Sequence, residues 1–154
     1  MSIRQYKPTE VAAIAEVYRN AILGIACDFY SREQVEVWSS LLGDLETFGK
    51  KLQQGLTLVA VEDEKIIAFG QLHPNNRIAF LYTIHEYARK GYASQIYQQL
   101  EQEAIAQGVQ YLSTEASRVS KFFFLKQGFE ILEREIVLRQ NMEFERFKMQ
   151  KNLL

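Results

Sequence analysis

Two basic residues and a glycine stand where an apolar segment gives way to a helical pattern. Arg89, Lys90 and Gly91 follow the strand-like residues 80–84 and precede small residues that open a helix. The first N–H groups of a helix lack internal partners and lie at the positive end of its dipole, so they attract anions. Gly91 also permits close approach of the backbone to a ligand. The pattern predicts a pyrophosphate site, although the turn alone also fits an ordinary solvated helix start.

Few side chains qualify for proton transfer or nucleophilic attack. Glu115 ends the apolar segment 109–115, where a carboxylate is either a general base or a surface residue at a strand end. The histidines are His73, which ends a strand, and His85, which we expect to face solvent. Cys27 has no Cys-His-Asp spacing around it and is interpreted as a small buried hydrophobic residue.

Hydrophobic periodicity predicts the elements that hold these residues. The predicted strands are residues 2–6, 56–61, 66–72, 78–84, 109–115, 129–138 and 144–152. The predicted helices begin at Pro8, Ser31, Asp44 and Ser117, and a further helix is entered through residues 89–94. Gly24 is expected to end or loosen the first of these helices, and Ser31 with Gln34 resembles a capping box. Short turns predict an antiparallel meander for the second to fourth strands, and a parallel crossover follows through the helix entered at residues 89–94.

Composition limits the classes of function. The 154 residues are 47% hydrophobic and 24% charged, which indicates one globular domain over residues 1–154. The net charge of -1 argues against broad nucleic-acid binding, and a single cysteine provides no disulfide framework. No apolar run approaches a membrane span and the first residues lack signal-peptide order, so a cytoplasmic protein without a membrane partner is expected.

Two common nucleotide-binding motifs are missing. A Rossmann enzyme has a G-x-G-x-x-G turn after its first strand, but the first helix here begins with Pro8-Thr9-Glu10. A P-loop enzyme has Gly-Lys-Ser/Thr in its loop, and this tripeptide does not occur in the chain. The sequence therefore argues against both classes.

Three segments in this order of elements resemble the GCN5-related N-acetyltransferase (GNAT) family. They are the strand end Leu81-Tyr82-Thr83, the turn at residues 88–93 (ARKGYA) and the aromatic-glycine segment at residues 123–129 (FFLKQGF). The resemblance implies a mixed α/β fold of the GNAT type. It also implies direct transfer of an acetyl group from acetyl-CoA to a primary amine of a small molecule or peptide, without a metal.

The resemblance further implies where acetyl-CoA binds. Strand 80–84 should splay from strand 109–115, so that the CoA arm pairs with backbone groups of Tyr82 and Ile84. A backbone N–H near Tyr82 and Thr83 would hold the oxyanion. The implied cofactor residues are Tyr82, Thr83, Ile84, Arg89, Lys90, Gly91, Tyr92, Ala93, Ser94, Ser117 and Phe123.

The catalytic residues follow from the same resemblance and the local chemistry. Glu115 is the candidate base. Phe124 stands where many family members have a tyrosine that protonates the departing thiolate, so Tyr82 and Ser117 are the substitutes considered. Because Phe124 cannot donate a proton, a non-catalytic acyl-CoA sensor or interaction module of the same fold is the alternative hypothesis.

The acceptor pocket is expected to come from the N-terminal helices. Tyr30 and Trp38 flank the capping box and are candidate lining residues, although aromatic residues at such places are more often core. His73 is a third candidate for the acceptor pocket. The long final hairpin is compatible with a monomer or a homodimer.

Overall fold

The computed structural model describes residues 2–25 and 29–154, so the interpretation of Cys27 lies outside the described residues. Within these ranges, seven strands form one mixed sheet in the order β1-β2-β3-β4-β5-β7-β6. The strands are β1 (Ser2–Gln5), β2 (Leu56–Glu62), β3 (Lys65–Leu72), β4 (Arg77–Thr83), β5 (Tyr111–Ser117), β6 (Glu130–Arg139) and β7 (Met142–Asn152). The α-helices are α1 (Val11–Ile25), α2 (Arg32–Ser39), α3 (Leu45–Leu52), α4 (Tyr92–Ala106) and α5 (Lys121–Lys126), and 3₁₀ turns occupy Pro8–Glu10 and His85–Tyr87.

Helices cover both faces of the sheet. On one face, Phe48 of α3 packs edge-on against Phe69 and Phe80, with ring centroids 6.2 and 5.9 Å away. On the other face, Ile96 and Leu100 of α4 pack over Gly70 of β3. The buried aromatic and aliphatic side chains form a continuous core between the sheet and these helices. The mixed α/β class, the antiparallel meander and the parallel β4–β5 crossover are therefore confirmed.

The predicted capping signals also hold. Ser31 Oγ accepts a hydrogen bond of 3.1 Å from the Gln34 N–H, and the Ser31 N–H donates to Gln34 Oε1 at 2.9 Å. Asp44 Oδ1 accepts from the Thr47 N–H at the start of α3. Because these caps satisfy otherwise unpaired N–H groups, they set where two short helices begin.

Gly24 was expected to end or loosen the first helix. It does not end it, because α1 continues to Ile25, and loosening stays a prediction. A Cβ at position 24 would lie only 2.4 Å from the Cβ of His85, so this glycine lets the turn after β4 pack against α1. The Asn20 side chain holds the same contact by accepting a hydrogen bond from the His85 N–H.

Among the described helices, none is both long enough and apolar enough to cross a membrane.

Candidate active site between β4 and β5

A β-bulge in β4 opens the sheet. Ile78 lies opposite Leu72 and Phe80 lies opposite Gln71, so Ala79 is an extra residue in β4. The parallel pairing of β4 with β5 comprises Arg77 with Ser113 and Ile78 with Thr114, and it ends directly before this bulge. Since bulges bend the strand that carries them, β4 diverges from β5 beyond Ile78. This divergence was expected from the family resemblance, whereas the bulge was not.

Backbone groups inside the gap come from Leu81 and Thr83. The Ile84 N–H donates to the Ile67 carbonyl at 2.9 Å, and Tyr82 lies opposite Phe69 in the same ladder. Because alternate residues of a strand direct their backbone groups to opposite sides, Tyr82 and Ile84 face β3. The sequence-based expectation was that the backbones of Tyr82 and Ile84 pair with a ligand. The structure corrects this, because the backbone groups that face the gap belong to Leu81 and Thr83.

A cavity of about 240 Å³ lies at the divergence. Its walls combine β4, β5, α2, α5 and the β6–β7 hairpin. The predicted residues Tyr30, Trp38, Tyr82, Glu115 and Ser117 all line it. The structure thus brings together residues that are separated by more than 80 positions in the chain.

Tyr82 is held among aromatic rings at one wall. Its ring stacks on Phe69 at 5.8 Å and meets Tyr18 edge-on at 4.9 Å. Burial raises the pKa of Tyr82 to about 12, while a hydrogen bond from Trp38 works in the opposite direction. The phenol is therefore protonated at neutral pH, which suits a hydrogen-bond donor and not a base.

Glu115 is hydrogen-bonded to an arginine. Arg77 Nε donates to Glu115 Oε2 at 2.9 Å, and the two side chains are 40% and 30% exposed. The bond links β4 to β5 at the closed end of the gap. Glu115 therefore faces the cavity as predicted, but its charge is balanced by a neighbour that the sequence did not indicate.

The Ser117 hydroxyl is hydrogen-bonded within the turn that precedes α5. Its Oγ accepts from the Ser120 N–H at 3.0 Å and lies 3.0 Å from Ser120 Oγ, which itself accepts from the Ser117 N–H. This turn also explains why α5 begins at Lys121 and not at the predicted Ser117. The hydroxyl lines the cavity while fixing the local backbone.

Arg118 connects three parts of the cavity wall and was missed by the sequence analysis. Its guanidinium lies over the ring of Tyr30, 5.1 Å from the centroid, and its Nη1 donates to the Phe29 carbonyl at 2.8 Å. Its Nε reaches Glu145 Oε1 at 3.4 Å, and Arg134 also binds Glu145. The hydrogen bond from Arg134 and the nearby positive charges hold the pKa of Glu145 below its usual range.

The sequence did not predict that the β6–β7 hairpin contributes to the cavity, and the reason lies in the sheet topology. Phe144, Glu145 and Arg146 reach the cavity because β7 pairs antiparallel with β5, opposite Ser117 and its neighbours. Nothing local in the hairpin sequence marks it as part of a site. The strand order β5-β7-β6 would have been the only signal.

The basic turn has the geometry expected of an anion site. Gly91 precedes α4 with φ +90°, and Arg89 has φ +63°. A Cβ at position 91 would meet only Gln95, at 4.0 Å, so the space over the turn is open. The N–H groups of Tyr92, Ala93 and Ser94 open the helix and have no i−4 carbonyl within it.

Three side chains near this turn make protein contacts. The Tyr92 hydroxyl donates to Glu62 Oε2 at 3.0 Å, and Ser94 Oγ accepts from Gln127 at 3.4 Å. Lys90 Nζ lies 5.4 Å from the centroid of the Tyr87 ring. The Tyr92 and Ser94 contacts fix the start of α4 and join it to the end of α5. Arg89 and Lys90 are exposed, so these two side chains and the backbone of the turn are open to a ligand.

Two aromatic residues of α5, Phe123 and Phe124, pack in the core. Phe124 lines the cavity but is only 4% exposed, and its ring meets Phe129 at 5.1 Å and Phe123 at 5.2 Å. Phe123 in turn meets Tyr97 of α4 at 6.1 Å. Both residues therefore join α5 to the core beside α4, and Phe124 supplies no proton.

His73 does not lie at the cavity, so its expected role in acceptor binding is corrected. It precedes the turn between β3 and β4, where its N–H donates to the Arg77 carbonyl at 3.0 Å. Arg77 lies in the paired stretch of β4 and β5, so His73 is at the closed end of the gap. His85 is exposed, as expected. Across residues 2–25 and 29–154, no group of three or more His, Cys, Asp or Glu side chains could hold a metal ion.

Comparison with known proteins agrees with this geometry. The model of the acetyltransferase (GNAT) domain family matches residues 27–153. The uncharacterized N-acetyltransferase YafP of Escherichia coli K12 is 25% identical over 149 residues, which cover 97% of this chain and 94% of YafP.

Two solved structures share the whole architecture. A GCN5-related N-acetyltransferase from Rhodopseudomonas palustris is 29% identical, with a TM-score of 0.95 over 99% of this chain and 95% of the other. The PaiA N-acetyltransferase from Thermoplasma acidophilum, solved in complex with coenzyme A, is 21% identical, with a TM-score of 0.80 over 98% of each chain. With the family model matching most of its length, this chain belongs to the GNAT family of N-acetyltransferases.

Proposed function

We propose that this enzyme transfers the acetyl group of acetyl-CoA directly to a primary amine of a small molecule or peptide. The observation that carries the proposal is the gap between β4 and β5, which opens beyond Ile78 and contains the aromatic cavity, while the basic turn at Gly91 follows β4 in the chain. The complex of the Thermoplasma relative with coenzyme A supports CoA binding by this chain.

Each part of the gap has a role in this reaction. The turn from Arg89 to Ser94 binds the pyrophosphate through backbone N–H groups and two mobile cations. The CoA arm pairs with Leu81 and Thr83 as an added strand would. One of these N–H groups then lies where the thioester oxyanion develops and stabilises it.

The remaining roles concern protons. We assign Tyr82 the role of hydrogen-bond donor to the departing thiolate, because it lines the cavity and its phenol stays protonated at neutral pH. Ser117 orders the cavity wall. Glu115, paired with Arg77, is the carboxylate available to relay a proton from the amine, directly or through water.

The second candidate function is a non-catalytic acyl-CoA sensor. It is favoured by Phe124, which replaces the family's usual proton donor with a buried ring. A sensor binds acetyl-CoA and releases no thiol with any amine, so turnover separates the two functions.

Calorimetric titration with CoA tests the binding site. Gly91→Asp adds bulk and negative charge to the turn, and we expect CoA affinity to fall at least tenfold, or about 1.4 kcal/mol. Gly108→Asp is the matched control, because Gly108 also has positive φ and lies at the opposite end of α4 with open space around it. The control should bind CoA like the wild type.

Thiol release from acetyl-CoA, measured with a panel of aliphatic, aromatic and peptide amines, tests catalysis. Release with at least one amine supports the enzyme. CoA binding without release on the whole panel supports the sensor, and unchanged affinity in Gly91→Asp excludes the proposed pyrophosphate site. The monomer or homodimer expectation stays a prediction that light scattering decides.

A further inference from the structure

The acceptor side of the cavity has flat aromatic walls. Tyr30 meets Trp38 edge-on at 5.2 Å and lies 6.4 Å from Phe144, and the rings of Phe80 and Tyr82 also line the cavity. Apolar cavities of about 150 Å³ are large enough to admit benzene. A cavity of about 240 Å³ therefore accommodates one aromatic ring together with the acetyl group.

The carboxylates of the cavity are already paired. Glu115 is bound to Arg77, and Glu145 is bound to Arg118 and Arg134. The lining also contains Arg139 and Arg146, and Arg146 is bound to Glu135. The described lining residues therefore offer no unpaired carboxylate to hold a substrate that arrives as an ammonium ion.

The cavity also lacks a strong base. Among its described lining residues there is no histidine and no lysine, and its two carboxylates are ion-paired. A lysine-like amine, with a pKa of about 10.4, costs about 4–5 kcal/mol to deprotonate at pH 7. An amine attached directly to an aromatic ring is already neutral, because the ring withdraws its lone pair.

We propose that the acceptor is an arylamine, a weakly basic amine on a flat aromatic ring. This inference rests on the proposed acetyltransferase function and specifies its substrate class. The ring packs between Tyr30, Trp38 and Phe144, and the neutral nitrogen faces the gap between β4 and β5.

The step needs no reactant beyond acetyl-CoA and the amine. The nitrogen lone pair attacks the thioester carbonyl carbon and forms the C–N bond. The C–S bond then breaks, and sulfur leaves with the electron pair as the CoA thiolate. One amine proton passes to the thiolate, directly or through water, to give the N-acetylarylamine and free CoA.

Two acceptors of nearly equal size test the proposal. Thiol release is measured with p-anisidine and with 4-methoxybenzylamine, which differs by one CH₂ between ring and nitrogen and is protonated at pH 7. We expect kcat/KM at pH 7 to be at least tenfold higher for p-anisidine. Its kcat/KM should be nearly constant from pH 6 to 9, while that of the benzylamine should rise with pH.

The outcomes separate this inference from the proposed function. Equal or higher kcat/KM for 4-methoxybenzylamine, or for an aliphatic diamine, at pH 7 overturns the arylamine class and leaves the acetyltransferase intact. CoA binding without thiol release on any amine overturns both. The expected ratio together with the flat pH profile supports the proposal.

A second variant pair tests the aromatic wall. Phe144→Leu should raise the KM for p-anisidine at least fivefold without changing the Kd of acetyl-CoA. Tyr111→Leu is the control, because Tyr111 is an exposed aromatic residue of β5 outside the cavity. The chain's only tryptophan, Trp38, lines the cavity, so its fluorescence reports p-anisidine binding independently of turnover. Unchanged KM and unchanged fluorescence titration in Phe144→Leu count against ring binding at this wall.

Discussion

Arg77 Nε and Glu115 Oε2 are joined by a hydrogen bond of 2.9 Å at the closed end of the β4–β5 gap. The bond joins Arg77, in the paired stretch of β4, to Glu115, which lies one residue beyond the last residue of β5 that pairs with β4. It also balances the charge of the carboxylate that the sequence offers as a base. We expect Arg77→Met to separate these effects. The free energy of unfolding should fall by about 1 kcal/mol or less, because both side chains are partly exposed.

The same variant should improve the acetylation of basic amines. Without its arginine, the Glu115 carboxylate is released from the hydrogen bond that holds it and is free to contact the amine, so kcat/KM for 4-methoxybenzylamine should rise several-fold relative to p-anisidine. Arg32→Met is the control, because Arg32 forms an exposed pair with Glu36 on α2. An unchanged ratio in Arg77→Met would show that Glu115 does not take the amine proton.

Tyr82→Phe should lower kcat about tenfold and leave the form of the pH profile between pH 6 and 9 unchanged. The raised pKa of about 12 keeps the Tyr82 phenol protonated over this range. Removing the hydroxyl therefore removes a hydrogen-bond donor but does not change the pH dependence of the rate. Tyr18→Phe is the matched control, because the Tyr18 hydroxyl donates to the Trp38 carbonyl at 2.9 Å and Tyr18 does not line the cavity. Steady-state kinetics with wild-type kcat for Tyr82→Phe would remove Tyr82 as the donor.

Ser117→Ala should act on stability more than on chemistry. The variant loses acceptors for the Ser120 and Val119 N–H groups before α5, which should cost about 1–2 kcal/mol of unfolding free energy. We expect kcat to stay within about threefold of the wild type. Urea unfolding and initial rates measured on the same samples check both parts, and a large loss of kcat with normal stability would instead place Ser117 in the chemical step.

Phe124→Ala should destabilise the protein by about 3–5 kcal/mol, because it empties a buried position surrounded by Phe123, Phe129 and Tyr97. Phe122→Ala, two positions away, changes a ring that is 57% exposed and should cost about 1 kcal/mol or less. Similar losses in denaturant unfolding for the two variants would contradict the role of Phe124 as a core residue.

Glu145→Gln should lower the free energy of unfolding at neutral pH but not in acid. The pKa of Glu145 is lower in the folded than in the unfolded state, so folding favours its ionised form. That contribution is complete above the ordinary pKa of about 4.5 and is lost as the pH falls through the lower folded pKa. The difference in unfolding free energy between variant and wild type should therefore shrink between pH 7 and pH 3.

Glu46→Gln provides the comparison for this pH effect. Glu46 forms an exposed pair with Lys50 on α3, and its replacement should change stability by less than about 0.5 kcal/mol at either pH. A difference for Glu145→Gln that stays constant from pH 7 to pH 3 would show that ionisation is not its source.

The sequence predicts the helices, strands and basic turn that position the site, because short-range sequence patterns determine them. The capping pair Ser31 and Gln34, the basic turn around Gly91 and the order of helices and strands along the chain all follow from short-range patterns. The divergence of β4 from β5 was inferred from the family resemblance. Its physical cause, the extra residue Ala79, has no sequence signature, since a bulge depends on the register of two strands.

The charge environment was the least predictable part. Arg118 and Glu145 are 27 residues apart and meet across Tyr30 only after β7 has paired with β5. His73 shows the opposite error: its residue type suggested chemistry, but the turn after β3 places it at the closed end of the gap. Pairing across strands, which a single sequence does not reveal, decides both outcomes.

The position of the gap within the sheet also bears on solubility. Unpaired strand edges at the border of a sheet invite strands of other molecules and promote aggregation. Here the unpaired backbone of Leu81 and Thr83 lies between β3 and β5 in the middle of the sheet, and the paired residues Ile78 and Thr114 close one end. The bulge thus gives the enzyme free hydrogen-bonding groups for an extended ligand while keeping them away from neighbouring protein molecules.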